Sequence, residues 1–366
     1  MVADALWLLT ARARNSQQWV DNTHCDVHTM HIDDHHYPVT LQNSSQWTTS
    51  YVVSARSTWL RYVRHEAMRQ LSPRMAAMIR PLSGLLLCPL SALMSASRLD
   101  QAAIAANYMI STNLYPAWTQ EQVQQITENL STTYPQRPLM IRNICEAVCP
   151  DVFRHLQEEG WEMIPARLIY TCDPQETSVW KHNHVRQDAR LLLDPQVEMV
   201  THDAIRREDL AELRQVFRQL FIDKHSYLNP DFSDNFFELC LETRFLEFTA
   251  LRYQGRWVGI LGIYSHPASG WMTTPLIGYD TSLPQELGLY RRLMAILLNN
   301  AKSRQLKLHY SSGAGRFKQM RGGQPALEYT AVYARHLPKQ TRVALHIFTQ
   351  LLQKLAPGIL KRADKL

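Results

Sequence analysis

The 366 residues are 45% hydrophobic and 20% charged, which suits an ordinary globular protein of about two domains. The net charge of +6 is mild, compatible with a phosphate-bearing donor or a tRNA and demanding neither. The longest apolar run, 82–94, is broken by Ser83, Gly84, Pro89 and Ser91 and is too short to span a bilayer, so no membrane partner is expected.

The first ten residues have no basic start and no cleavage site, so no signal peptide is expected and a cytoplasmic location is. Residues 1–50 are polar and His-rich with little periodicity, and read as a loosely packed lead-in. Metal binding there lacks any fixed ligand spacing, so no metal site is assigned. The spacing of Trp59, Tyr62, Val63 and Met68 predicts a helix over 58–71, and a second helical stretch covers about 75–99, interrupted near Pro81 and Pro89.

A strand is expected over 103–112. Thr119 with Gln122 forms a capping box for a helix to about Leu130. A short strand over 139–142 follows, then a helix over 150–159 stopped by Gly160, and a strand over 161–171. Leu193-Asp194-Pro195 marks a boundary. Beyond it come a strand (196–202), two helices (208–221 and 232–243), three strands (245–253, 257–265, 271–279) and a long helix after Gln285–Tyr290. The chain then gives a strand near Leu306–Tyr310, a loop over 311–315, a short helix over 316–321, Gly322-Gly323, and a strand to Tyr333. The six cysteines, scattered and without a C-x-x-C pair, read as free thiols in a reducing compartment.

The two halves end alike. Phe153–Gly160-Trp161 and Phe317–Gly322-Gly323 are each a short helix, a glycine cap and a strand, which suggests a duplication. The expected organisation is therefore a lead-in (1–50), two similar domains (51–195 and 196–338), and a C-terminal helix and tail (339–366).

This order of elements resembles tandem proteins of the Gcn5-related N-acetyltransferase (GNAT) type, similar to the Fem-type aminoacyltransferases and acyl-CoA N-acyltransferases. The resemblance covers 196–335 well and the first half weakly. It implies an α/β fold: two GNAT-like domains, each with a mixed, mainly antiparallel sheet flanked by helices. It implies an enzyme moving an acyl group from acyl-CoA, or from the phosphopantetheine of an acyl carrier protein, to a small-molecule amine. A Fem-type aminoacyl-tRNA donor and an inactive binding module are the alternatives. Ser/His/Asp hydrolysis lacks a Gly-x-Ser-x-Gly elbow.

In the family the pyrophosphate loop reads Gln/Arg-x-x-Gly-x-Gly/Ala. Gln285 and Gly288 match its first two fixed positions, and Tyr290 replaces the last with a ring that narrows the site. The donor is then expected on the backbone of Ile277, Gly278, Leu287 and Leu289, with Arg291 and Arg321 nearby. Lys318 stands where many relatives have a leaving-group tyrosine and Fem-like relatives a lysine. It is either an anion-binding or catalytic group or a solvated charge. Ser311 and Ser312 are candidates to assist an oxyanion, or form a tight connection. Asp280, beside Tyr279, is a candidate base or a turn residue before Pro284. Lys224, His225, Tyr227 and Asn229 form a polar, aromatic loop suited to an amine acceptor, or a surface loop. In the first half, Asn113 and the donor-rich stretch 181–188 are candidates near a cleft, or solvated connections. Oligomeric state is not legible.

Overall fold

The computed structural model describes residues 2–12, 15–42, 46–69 and 72–363. In chain order the first half contains α1 (Val2–Arg12), β1 (Cys25–Ile32), β2 (His35–Gln42), α2 (Tyr62–Arg69), α3 (Pro73–Ala96), β3 (Ala103–Ala105), α4 (Gln120–Thr133), β4 (Leu139–Ile144), α5 (Pro150–Glu159), β5 (Glu162–Cys172) and α6 (Asn183–Leu191). The second contains β6 (Val197–Thr201), α7 (Leu210–Arg218), α8 (Asp234–Thr243), β7 (Glu247–Tyr253), β8 (Arg256–His266), β9 (Trp271–Tyr279), α9 (Leu289–Ser303), β10 (Lys307–His309), α10 (Gly315–Gln319), β11 (Gln324–Tyr333) and α11 (Lys339–Ala363).

All eleven strands form one sheet in the order β1-β2-β3-β4-β11-β5-β10-β9-β8-β7-β6. The GNAT-like architecture expected from the sequence is present, but the sheet does not divide at residue 195. The last strand of the second half, β11, lies between β4 and β5, and β5 in turn lies between β11 and β10. Each half thus lends its closing strand to the other, about a local two-fold axis between β5 and β11. Both junctions use the predicted glycine cap: Gly160 has φ +92° and Gly322 φ +83°.

Three expectations are corrected. Residues 1–50 are not a loose lead-in: β1 and β2 pair from Cys25↔Gln42 to Ile32↔His35, and Trp7, Trp19 and Val20 are fully buried. The histidines obscured a period-two pattern in which Met30, Ile32, Tyr37, Val39 and Leu41 face the core. The second helical stretch is not interrupted: α3 continues through Pro81 and Pro89, with Leu90, Leu93 and Met94 packed against the core beneath α11. The predicted strand over 103–112 closes after Ala105, because Ala106 and Met109 take positive φ.

Candidate functional site

The same construction occurs twice in the sheet. In the first half, β3 and β4 run parallel only from Ala103↔Leu139 to Ala105↔Ile141. In the second, β9 and β10 run parallel only from Trp271↔Lys307 to Thr273↔His309. Beyond these pairs the strands part, so Thr274–Tyr279 keeps β8 as its only strand partner among the described residues. Two residues after each last pair, at equivalent positions, stand Asn143 (φ +58°) and Ser311 (φ +61°). Left-handed backbone at a non-glycine residue is uncommon and marks the apex of each gap.

Between the apices lies the axis. Arg167 of β5 and Glu328 of β11 are direct cross-strand partners, joined by Nε–Oε1 at 2.5 Å and Nη2–Oε2 at 3.2 Å. Arg167 also donates to the hydroxyls of Ser311 (3.2 Å) and Thr112 (2.8 Å). Glu328 accepts from the Asn143 side-chain amide at 3.0 Å and pairs with His309 Nε2 at 3.2 Å. Because His309 Nδ1 accepts the Ser311 backbone N–H at 3.1 Å, the ring proton sits on Nε2 and points at the carboxylate. Asn113 joins through its own N–H, which donates to Asn143 Oδ1 at 2.9 Å.

The electrostatics follow from burial and pairing. Burial alone would raise the Glu328 pKa, but the Arg167 charge and the hydrogen bonds from His309 and Arg167 bring it to about 2. Burial lowers the His309 pKa, with the hydrogen bond to Glu328 opposing it only in part, so the imidazole is neutral. Arg167 is raised, since the carboxylate more than offsets the penalty of burial. The result is a fixed, mutually satisfied charge cluster beneath two serine and threonine hydroxyls.

Near it lies a cavity of about 470 Å³, lined by Arg56, Arg61, Arg64 and His65 from the helical layer, by Trp47, and by Tyr227 from the second half. Arg56 is paired to Asp100 at 2.9 Å, while Arg61 stacks over Trp47 at 4.7 Å and donates to the Gln46 carbonyl. Tyr51 and Tyr62 connect the two regions. Their rings meet edge to face at 5.4 Å, the Arg142 guanidinium lies 5.7 Å from the Tyr51 ring, and Tyr62 follows Arg61 in the chain.

The sequence-predicted residues divide into three groups. Ser311 and Asn113 belong to the axial cluster, and Tyr227 lines the cavity with its ring 5.2 Å from His65. Lys224 lies 6.0 Å from the Tyr279 ring, linking the predicted acceptor loop to the free end of β9. His225 is exposed, whereas Asn229 is buried and donates to the Phe221 carbonyl at 2.7 Å, a structural role.

At the expected pyrophosphate cradle, α6 packs against the start of α9. Gly288 has φ +60°, and a Cβ there would lie 2.7 Å from a Leu191 methyl of α6. Leu287 and Leu289 are buried, Gln285 is exposed, and Ile277 packs into the core below. Gly278 serves close packing, since a Cβ would lie 2.4 Å from Phe217 Cα. Tyr290 lies between Tyr279 (5.8 Å) and Phe317 (4.7 Å), and burial raises its pKa. Arg291 and Arg321 both bind Asp188, at 2.7 and 2.5 Å, in place of a phosphate.

The two proposed proton-handling groups are also committed. Lys318 is buried, its ammonium donating to the carbonyls of Ser311 (3.3 Å) and Ser312 (2.8 Å). Asp280 Oδ1 accepts from the N–H and hydroxyl of Ser282, as a turn residue does. Arg167, His309, Glu328 and Asn143 were missed by sequence reasoning. Their one signal was an isolated charge within each of two apolar strands, at Arg167 and Glu328.

No family model and no curated protein matches the chain. Among solved structures, FemX superposes with a TM-score of 0.53 at 7% identity, over 93% of this chain and 97% of that one. The chain has a tandem GNAT-type fold. Weaker likenesses are to L-PGS from Bacillus licheniformis (TM-score 0.47, 13% identity, 68% of this chain and 82% of that one), and to a GCN5-related N-acetyltransferase from Kribbella flavida (TM-score 0.35, 13% identity, 65% and 83%). Among the described residues no group of three His, Cys, Asp or Glu side chains is placed to hold a metal ion.

Proposed function

We propose that the protein is an acyltransferase that passes an acyl group from an activated ester or thioester to an amine. One observation carries this reading: β10 parts from β9 after His309 and leaves Thr274–Tyr279 of β9 without a second strand partner among the described residues, with the strained, hydroxyl-bearing Ser311 at the apex of the gap. An extended acyl donor lies along that edge by main-chain hydrogen bonding. The amine nitrogen attacks the carbonyl carbon, the C–S or C–O bond breaks, and the amine proton passes to the departing sulfur or oxygen. Ser311, polarised by Arg167, supports the charge that develops on the carbonyl oxygen. The basic cavity receives an anionic portion of the substrate.

Tyr290 in the loop and the hold of Asp188 on Arg291 and Arg321 support a donor carried by a macromolecule, an acyl carrier protein or an aminoacyl-tRNA, over free acyl-CoA. Such a donor needs no pyrophosphate pocket at a helix start. The full chain should be incubated with acyl-CoA, acyl carrier protein and aminoacyl-tRNA donors and a library of amines, with products read by mass spectrometry. Transfer from one of the two carrier-bound donors is expected, and Ser311→Ala should lower its rate by about 10²-fold or more with folding intact. Transfer from free acyl-CoA alone would assign the donor to CoA instead. No transfer from any donor would support a binding module instead.

A further inference from the structure

We propose that α11, with the helical layer it packs on, docks the protein onto an anionic lipid surface. One face of α11 is committed to the core. Ala344, Leu345, Phe348 and Leu352 are buried, Phe348 meets Trp59 edge to face at 5.7 Å, and Gln353 donates to the Met163 carbonyl of β5 at 3.0 Å. Val343 (48%) and Ile347 (44%) are exposed away from that face, and a row of exposed aliphatics winds on through Leu351 (40%) to Leu355 (57%) and Ile359 (56%), where the helix runs past the core. Single exposed aliphatic residues are ordinary on a protein surface, but five at a regular spacing of four form a continuous ridge.

Charge selects the occupant. The segments 57–96 and 339–363, which supply α2, α3 and α11, hold ten basic residues and one acidic residue, Glu66. The remaining residues carry 29 basic against 32 acidic, so the net positive charge of the chain comes from these two segments. α11 contains no acidic residue at all, and exposed Arg342 and Lys354 flank the ridge. An apolar ridge bordered by cations on a helix whose other face is anchored is the arrangement that lies in a headgroup region. By length and composition, Lys339–Leu360 passes as a membrane span; its buried face makes it lie on the surface.

The alternatives fit less well. RNA phosphates would use the cations but gain nothing from Val, Ile and Leu, since bases stack on aromatic rings. A second copy of α11 would set like charges against like, since neither helix carries an acidic residue to pair with the other's cations.

The test uses the full chain and needs no turnover, so it stands apart from the transferase reading. Protein is floated with vesicles of phosphatidylcholine alone or mixed with phosphatidylglycerol. Flotation is expected with the anionic vesicles and about tenfold less with the zwitterionic ones. Leu351→Asp with Leu355→Asp, and separately Arg342→Glu with Lys354→Glu, should each cut the bound fraction about tenfold while circular dichroism is unchanged. If the aspartate pair misfolds, Leu351→Ser with Leu355→Ser replaces it, and slowed amide exchange in 343–359 on adding vesicles provides a second readout. Absence of flotation, or flotation indifferent to both variants, overturns the proposal. A dimer that the ridge variants convert to monomer, without vesicle binding, assigns the ridge to a second copy. Retention of tRNA that only the charge variants abolish assigns it to RNA.

Discussion

Arg167 and Glu328 occupy corresponding places in the two halves, carry opposite charges, and face one another across the local axis. A buried ion pair of this kind contributes little net stability, but removing one partner leaves the other desolvated and alone. Glu328→Gln should therefore cost about 3–5 kcal/mol in denaturant unfolding. Acid should act on the same cluster in two stages. The His309 pKa is lowered in the folded chain, so the unfolded chain takes up its proton first, and stability should decline once pH falls below about 6.5. Glu328, depressed from 4.5 to about 2, stabilises fully above its unfolded value, and that contribution is lost as pH falls from 4.5 through 2. His309→Asn should flatten the first stage while leaving the second, in thermal melts taken over that pH range. Lys318→Met should destabilise the 311–315 loop by about 1–3 kcal/mol, because it strips two backbone carbonyls of a charged donor.

At the scale of elements, contacts between helices and strands decide which surfaces remain available. α7 lies so close to β9 that Gly278 is the one residue the contact admits. Gly278→Ala must displace the α7 backbone, and a loss of about 1–3 kcal/mol or more is expected in equilibrium unfolding. α6 covers the start of α9 through Leu191, while Asp188 holds Arg291 and Arg321. Leu191→Ala should open space beside Gly288 and raise affinity for free CoA, measured by titration calorimetry; unchanged affinity would show that Tyr290 alone closes the site.

For the molecule as a whole, the exchanged strands make the halves interdependent. Expressed alone, 1–195 would lack β11 between β4 and β5, and 196–366 would lack β5 beside β10. Each fragment would expose long unpaired strand edges. Neither should give a dispersed amide NMR spectrum by itself, and co-expression should restore one.

Local order was legible because it is written locally. Thr119 and Gln122 form the capping box, Gly160 and Gly322 end their helices, and β9 spans the predicted 271–279. Together with the repeated helix–glycine–strand ending, these sufficed for a duplicated GNAT-like fold. Which residues share a site was not legible, because Arg167, His309, Glu328 and Asn143 are far apart in sequence and meet only when each half completes the other's sheet. Lys318, Arg291 and Arg321 looked available for an anion in the sequence, but the turn that brings the Ser311 and Ser312 carbonyls onto Lys318, and the packing of α6 that brings Asp188 onto both arginines, appear only in the fold. Tertiary packing therefore decided which groups were left for chemistry.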